Sequence, residues 1–277
     1  MRRALTIAGA VLAVLGLTVP AFAVQPSLVG GGDADQPYPF AVALQSSSGD
    51  LFCGGTLIDP SWVLTAAHCV ADRKPPDVRA RVGSNDRTQG GELVAPDRFV
   101  PHPDYNPNGA GGDLALVHLP SPVAAAPVAL GASTSVGAAV RLLGWGQTCP
   151  DPGCGAGPAT LQQLDSHLVD PAKCTAAFDP KVELCTDSPD GKSGACYGDS
   201  GGPEVVQADN RWLLVGVTSR PGGSSATCVA APSIYTSAVA YAPWIAQQTA
   251  PPATPSPTPT TTPGPTPTST PSPTPSA

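Results

Sequence analysis

The sequence predicts an all-β fold, built as two six-stranded antiparallel β-barrels with a short C-terminal helix and a disordered C-terminal tail. Short apolar runs rich in β-branched residues are separated by Gly, Pro, Asn and Asp, a pattern typical of strands and turns. Examples are residues 40–44, 55–58, 62–65, 114–119, 140–143 and 212–217. A connector rich in Pro, Ala and Val, residues 119–131, divides these runs into two groups. A helix is predicted only near the end, within residues 238–246, where Pro243 suits a first helical turn.

Both ends of the chain are expected to lie outside this fold, which leaves residues 28–249 as the folded domain. Residues 1–23 comprise a basic start, an apolar run and the small-residue site Ala21-Phe22-Ala23, as in a secretory signal peptide. The apolar run is short for a membrane anchor, so we expect a secreted, extracellular protein. Residues 250–277 contain only Pro, Thr, Ser, Ala and one Gly, which predicts an extended, disordered tail.

The cysteine count and the charge narrow the class of protein. Eight cysteines in an exported chain favour disulfides over thiol chemistry or zinc coordination. The formal net charge of −7 argues against nucleic acid or an anionic membrane as a partner once the signal peptide is removed. We expect a monomer without a cofactor or a metal site.

One serine stands out in the hexapeptide Gly198-Asp199-Ser200-Gly201-Gly202-Pro203, where glycines leave its hydroxyl unshielded. A serine hydroxyl is a poor nucleophile at neutral pH unless a base and an orienting acid accompany it. His68 in Thr65-Ala66-Ala67-His68-Cys69 and Asp113 in Gly112-Asp113-Leu114-Ala115-Leu116 could supply them. Taken singly, each residue has an ordinary structural role, such as a turn serine or a capping aspartate. The order His, Asp, Ser with these flanking residues favours a catalytic triad.

These motifs make the chain resemble the chymotrypsin-like (trypsin-fold) serine endopeptidases, and in particular a secreted bacterial member. The resemblance covers roughly residues 28–248. Further motifs that carry it are Leu28-Val29-Gly30-Gly31, Cys53-Gly54-Gly55-Thr56-Leu57-Ile58, His102-Pro103-Asp104-Tyr105-Asn106, Gly144-Trp145-Gly146 and Ile234-Tyr235-Thr236.

The resemblance implies a role for each residue of the triad in the hydrolysis of protein or peptide substrates. Ser200 would attack the scissile carbonyl, His68 would transfer the proton and Asp113 would orient His68. The N–H groups of Gly198 and Ser200 would stabilise the oxyanion. Ser219 matches the serine that helps to hold the aspartate and lines the substrate cleft.

The resemblance also implies disulfide pairs, although the sequence alone leaves many pairings of eight cysteines open. The family pattern pairs Cys53 with Cys69, Cys174 with Cys185, and Cys196 with Cys228. Cys149 and Cys154 would then pair with each other and close a small loop, which stabilises less than a long one. The resemblance extends only loosely to a calcium loop at residues 83–92, where Asp86 and Glu92 are expected to be solvated loop charges.

Activation by a new N-terminus is a further implication. Its ammonium would pair with Asp199 and order the oxyanion hole. The matching terminus is Leu28, released by cleavage after Ser27, so that residues 24–27 form a short propeptide. Leu28 replaces the usual β-branched residue, and Ser27 is not a basic cleavage site.

The substrate pocket departs from a trypsin-like pattern. Its base is expected at Gly194, or at Ser193 in another placement, followed by Ala195; neither is acidic, so we expect cleavage after uncharged residues. Ser233 stands where a glycine often lines the pocket. After Ser219 the family usually has Trp-Gly, but this chain has Arg220-Pro221.

Two alternatives concern this altered wall. Arg220 could attract acidic substrate side chains. Pro221 lacks an N–H to donate to an extended substrate, so either binding is weakened or Gly222 takes over.

The rival functional hypothesis is a non-catalytic binding protein on the same fold. Such proteins usually lose a member of the triad or the glycines around the serine, and this chain keeps them. Another alternative makes the Pro/Thr tail a tether to a cell wall or polysaccharide. Because no sorting motif or binding module follows the tail, a spacer is the favoured interpretation.

Overall fold

The computed structural model describes residues 28–251. The expected signal peptide, the propeptide and the tail beyond Pro251 lie outside the described residues. Fifteen strands occur in the described part: β1 (Gly32–Asp33), β2 (Ala41–Ser46), β3 (Leu51–Asp59), β4 (Trp62–Thr65), β5 (Val78–Val82), β6 (Glu92–Val94), β7 (Arg98–Pro101), β8 (Ala115–His118), β9 (Ala129–Leu130), β10 (Ala139–Gly144), β11 (Gln162–His167), β12 (Glu183–Thr186), β13 (Pro203–Ala208), β14 (Arg211–Pro221) and β15 (Ser233–Ser237). The α-helices are α1 (Ala67–Val70) and α2 (Ala242–Thr249), and 3₁₀ turns span Pro75–Asp77, Pro171–Lys173 and Pro189–Gly191.

The strands form two sheets, in agreement with the predicted all-β fold of two antiparallel units. The first has seven strands in the order β6-β5-β2-β3-β4-β8-β7, and the second has eight, with β1-β11-β10-β13-β14-β15-β12 as its main path. Both counts exceed the six expected, partly because segments too short to show a periodicity join the sheet edges. In the second sheet, the two-residue strand β1 pairs with β11, and the equally short β9 pairs with β14 in parallel.

The core explains why the two sheets pack together. The largest cluster of buried apolar side chains draws on both sheets, with Leu44, Leu64 and Leu116 from the first and Leu143 and Leu214 from the second. The predicted terminal helix is confirmed as α2, with Pro243 in its first turn and Ile245 buried against this cluster. Burial of such side chains contributes roughly 1.5–3 kcal/mol each, so the sheets are held mainly by this apolar contact.

Four disulfides link the eight cysteines: the three pairs that the resemblance implies, Cys53–Cys69, Cys174–Cys185 and Cys196–Cys228, and the remaining pair Cys149–Cys154. Two of them flank residues of the expected site, since Cys69 follows His68 and Cys196 lies four residues before Ser200. They therefore tie the local backbone around both residues.

Within residues 28–251, no helix has the length and the apolar character needed to cross a membrane. In the same part of the chain, a cluster of Cys53, His68 and Cys69 has metal-ligand spacing. Both sulfurs belong to the disulfide, however, so the cluster has no thiolate to offer a metal.

Candidate active site

His68 and Asp113 meet at one end of the first sheet. His68 lies in the single turn of α1 just after β4, and Asp113 lies just before β8. Because β4 and β8 pair antiparallel, with Thr65 opposite Ala115, the end of one adjoins the start of the other. His68 Nδ1 lies 2.8 Å from Asp113 Oδ2, and the His68 backbone N–H donates to Asp113 Oδ1 at 3.0 Å.

Asp113 is held from the second sheet as well. The Ser219 hydroxyl donates to Asp113 Oδ2 at 2.6 Å, and Thr236 Oγ1 donates to the Asp113 carbonyl at 3.0 Å. Burial raises the pKa of Asp113, but hydrogen bonds from His68 and Ser219 and attraction to the imidazole outweigh this, so its pKa is lowered. The side chain of Asp113 is 9% exposed and that of His68 is 34% exposed. An ionised carboxylate therefore faces a partly accessible imidazole.

A β-bulge explains why Ser219 reaches Asp113. The register between β14 and β15 shifts between Thr218 and Arg220, so Ser219 has no partner in that ladder. A bulge redirects the side chain of the extra residue. The hydroxyl of Ser219 is thereby free to hydrogen-bond across to the first sheet.

Ser200 occupies the tight turn that the glycines around it predict. Gly198 and Gly201 have φ of 98° and 79°, a conformation that L side chains rarely adopt. The Ser200 carbonyl accepts from Gly54 of β3 at 2.7 Å, and the Gly201 N–H donates to Thr218 of β14 at 2.7 Å. Since the turn is fastened to both sheets, Ser200 and His68 line the same cavity.

Asp199 is buried beneath this turn, with 1% of its surface exposed. Its carboxylate accepts from the backbone N–H of Gly146 at 2.8 Å and of Cys196 at 2.9 Å. A Cβ on Gly144 or Gly146 would overlap the carboxylate, which explains both glycines around Trp145. Burial raises the pKa of Asp199 to about 7, because two neutral donors compensate the charge only in part.

The N-terminal segment packs beside the same region. Leu28 is 1% exposed and belongs to a cluster with Val140 and Tyr235. Next to it, Val29 bridges Gly194, whose N–H donates to the Val29 carbonyl at 2.9 Å. Leu28 thus lies beside the segment, beginning at Gly194, that leads to Asp199 and Ser200.

The cavity next to Ser200 has a volume of about 310 Å³ and is lined by most of the expected pocket residues. No carboxylate among the described residues lines it. Its lining comprises His68, Ala195, Cys196, Tyr197, Ser200, Thr218, Ser219, Arg220, Pro221, Ser225, Thr227, Cys228, Val229, Ala231 and Ser233. Gly194 is outside this set but close to it, since a Cβ there would lie 3.1 Å from Val229 Cγ1 and 4.0 Å from Ser233 Oγ.

A second cavity of about 240 Å³ adjoins His68 on the side of Tyr105 and Arg220. Between the two cavities runs the end of β14, where Arg220 and Pro221 replace the usual Trp-Gly. The N–H of Gly222 donates to the Pro232 carbonyl at 2.8 Å, and its carbonyl accepts from Thr175 and Ala176. Gly222 therefore has no free backbone donor, and the alternative that it takes over from Pro221 is disfavoured.

Sequence reasoning missed several residues of the site. Tyr197 is not among the predicted pocket residues, although its position immediately before Gly198 is a signal that it borders the cavity. Val229 and Ala231 line the cavity from a loop with no recognisable motif. Glu183, which contacts Arg220, is an isolated acid in an ordinary strand and gave no signal of its role.

Comparison with known proteins agrees with this arrangement. The family model described as Trypsin matches residues 29–245. A protein named "Trypsin" from Saccharopolyspora erythraea is 34% identical over 223 residues, which covers 77% of this chain and 94% of the relative. On this match and the two-sheet fold, the chain belongs to the trypsin family and is a serine endopeptidase.

Proposed function

We propose that the protein is a secreted endopeptidase that uses Ser200, His68 and Asp113 as its catalytic triad and cleaves after uncharged residues. The observation that carries the triad is the His68–Asp113 contact, held by Ser219, on the same cavity as Ser200. The expected secretion signal lies outside the described residues. Secretion is supported by its sequence and by the four disulfides, which persist in oxidising compartments.

The reaction proceeds through an acyl-enzyme, which is formed first and then hydrolysed. Ser200 Oγ attacks the scissile carbonyl carbon while His68, whose Nδ1 faces Asp113, accepts the serine proton at Nε2. Asp113 stabilises the imidazolium that results. His68 then donates this proton to the leaving amine as the C–N bond breaks, and a water molecule hydrolyses the ester by the same route.

The oxyanion of each tetrahedral intermediate is stabilised by the backbone N–H groups of Gly198 and Ser200. This role is supported because both donors are available: within residues 28–251 neither N–H donates to a protein acceptor. Donors of this kind are typically worth about 3 kcal/mol each in the transition state. The left-handed conformation of Gly198 sets the backbone turn in which both groups lie.

Activation rests on Asp199. A fully buried carboxylate with only two neutral backbone donors lacks a counter-charge, and no cationic side chain of the described residues pairs with it. A free ammonium at Leu28, which is buried on the adjoining segment, supplies that charge once residues 24–27 are removed. N-terminal sequencing of the active secreted protein tests this; an intact Val24 terminus on the fully active enzyme contradicts it.

The preference for uncharged residues follows from the cavity. A lysine or arginine side chain buried there would lack a carboxylate partner, which costs several kcal/mol. The walls offer Ala195, Val229, Ala231 and the hydroxyl of Ser233 instead. Profiling with a peptide library is expected to show apolar or small residues before the cleaved bond, whereas dominance of Arg or Lys refutes the proposal.

Labelling with a fluorophosphonate tests the triad directly. Covalent modification is expected in the mature wild-type protein and is expected to be lost in Ser200→Ala. An unlabelled but folded wild type would favour the alternative of a non-catalytic binding protein. Substitution of the nearby Ser225, which lines the same cavity, by Ala is a matched control that should retain labelling.

A further inference from the structure

Arg220 and Glu183 form an ion pair at the edge of the proposed active site. Arg220 Nη1 lies 2.7 Å from Glu183 Oε1, and the Glu183 side chain has no exposed surface. A buried carboxylate is costly unless it is paired and fully hydrogen-bonded. Glu183 meets this condition, because Oε1 also accepts from the Gly111 N–H and Oε2 accepts from the Asp179 N–H, both at 2.8 Å.

The pair reaches Asp113 by two routes. On the side-chain route, Arg220 Nη1 lies 3.2 Å from the hydroxyl oxygen of Ser219, which donates to Asp113 Oδ2 at 2.6 Å. A serine hydroxyl has one proton and two lone pairs. Since the guanidinium donates to a lone pair of Ser219, the hydroxyl proton stays directed at Asp113.

On the backbone route, Glu183 holds the turn that precedes Asp113. Its Oε1 accepts from Gly111, and the next N–H, that of Gly112, donates to Tyr241 Oη at 2.7 Å. Both glycines are left-handed, with φ of 72° and 68°. Such a turn depends on its hydrogen bonds, because glycine restricts the backbone little.

The charge of Arg220 is matched within the protein. Besides Glu183 and Ser219, the guanidinium donates through Nη2 to the Ala177 carbonyl. The alternative that Arg220 attracts acidic substrate side chains is therefore disfavoured, and its contacts point inward to the triad.

We propose that Glu183 and Arg220 are positioning residues, which hold Asp113 and through it His68 in the geometry for proton transfer. This inference rests on the proposed triad. It assigns to Arg220 a role other than contact with the substrate, although Arg220 borders both cavities.

The test compares two substrates in wild type, Arg220→Met and Glu183→Gln. An ester of a single N-acetylated apolar amino acid fills only the cavity beside Ser200, while a tetrapeptide amide extends along the cleft. We expect kcat for the ester to fall about tenfold or more in both variants with KM nearly unchanged, as small misplacements of catalytic groups reduce rates strongly. Arg220→Lys, which keeps the charge, is expected to retain part of the activity.

A matched control separates positioning from general loss of an ion pair. Arg141 pairs with Asp165 in the second sheet at 2.6 Å and touches no residue of the site. Arg141→Met is expected to lower thermal stability and to leave kcat for the ester unchanged. An unchanged ester kcat in Glu183→Gln and Arg220→Met overturns the proposal, and so does an effect confined to KM for the tetrapeptide.

A spectroscopic readout keeps this test independent of Ser200. In a Ser200→Ala background, the His68 Nδ1 proton bound to Asp113 is followed as a downfield proton NMR signal. Faster exchange or loss of this signal on Glu183→Gln is expected, whereas an unaltered signal contradicts the proposal. Ester hydrolysis that persists in Ser200→Ala would refute the proposed triad, while the NMR signal would still report on the ion pair.

Discussion

The hydroxyl of Tyr197 donates a hydrogen bond to the carbonyl of Ala226 at 2.7 Å and so joins two segments that line the cavity beside Ser200. Tyr197 is 44% exposed, which makes it one of the few large apolar side chains at the surface of the described chain. We therefore expect this hydrogen bond to contribute little to the free energy of unfolding and to act mainly on the shape of the cavity. A wall tied in this way loses less conformational freedom when a side chain binds.

Tyr197→Phe is expected to lower kcat/KM by about two- to fivefold for substrates with a bulky apolar residue before the cleaved bond, the value of one modest hydrogen bond. Substrates with alanine there should change less. Steady-state kinetics on the matched pair measures this difference. Equal effects on both substrates would show that the bond does not shape the cavity.

Pro221→Ala is expected to improve the cleavage of extended peptides. The Gly222 N–H donates to the carbonyl of Pro232, just before β15. Because successive N–H groups of a strand point to opposite edges, the backbone nitrogen of residue 221 faces the other, free edge of β14. An N–H restored there can donate to an extended substrate, worth about 0.5–1.5 kcal/mol or two- to tenfold in kcat/KM. Kinetics on the tetrapeptide amide should show the gain and the single-residue ester should not. A gain with both substrates would indicate a change in the triad instead.

Asp199→Asn tests the proposed activation. The change keeps the shape but removes the charge that a Leu28 ammonium needs, so the oxyanion hole should lose order. We expect kcat/KM to fall by about 10²–10³, as for loss of an oxyanion donor. Asp190→Asn, the same change at an exposed neighbour, should have no effect. Full activity in Asp199→Asn would rule out the ion pair as the activating contact.

Glu204 predicts an unusual pH dependence of stability. It is buried in β13, where only Thr186 donates to its Oε1, at 2.6 Å, and its Oε2 has no hydrogen-bond partner. Burial raises its pKa from 4.5 to about 8. Between these values the folded state keeps a proton that the unfolded state has released, so stability falls as pH rises, by up to about 1.4 kcal/mol per pH unit.

Glu204→Gln removes this contribution. The free energy of unfolding of the variant relative to wild type is expected to rise between pH 5 and pH 8, as measured by urea titrations. The residues of the proposed triad are not altered, so activity per folded molecule should stay the same. A difference that is constant over this pH range would show that Glu204 is already ionised in the folded protein.

Much of the fold was predictable because its signals are local. Strands such as β2, β4 and β14 are apolar runs bounded by turn residues, and α2 has Pro243 in its first turn. The one-turn helix α1 was missed, since four residues cannot display a helical period. Likewise β1 and β9 have two residues each and exist only because an existing sheet edge accepts them.

The candidate site likewise has some residues with a local sequence signal and others that only tertiary contacts bring together. Ser200 and its neighbouring glycines are recognisable from one hexapeptide, residues 198–203. Contacts such as Arg220 with Glu183 join residues 37 positions apart that carry no common motif, and the bulge at Ser219 depends on the partner strand β15. The sequence likewise leaves open whether Gly222 could replace Pro221, and the hydrogen bond from the Gly222 N–H to the Pro232 carbonyl disfavours it.

By itself the sequence determined which chemical groups the protein has: a serine between glycines, a histidine, an aspartate and an even set of cysteines. Only the tertiary structure decided their contacts. His68 and Asp113 are 45 positions apart, and Asp113 and Ser219 are 106 apart, yet each pair is within hydrogen-bond distance. The physical reason is that reactivity belongs to a side chain, while its orientation and charge environment come from the sheets that pack around it.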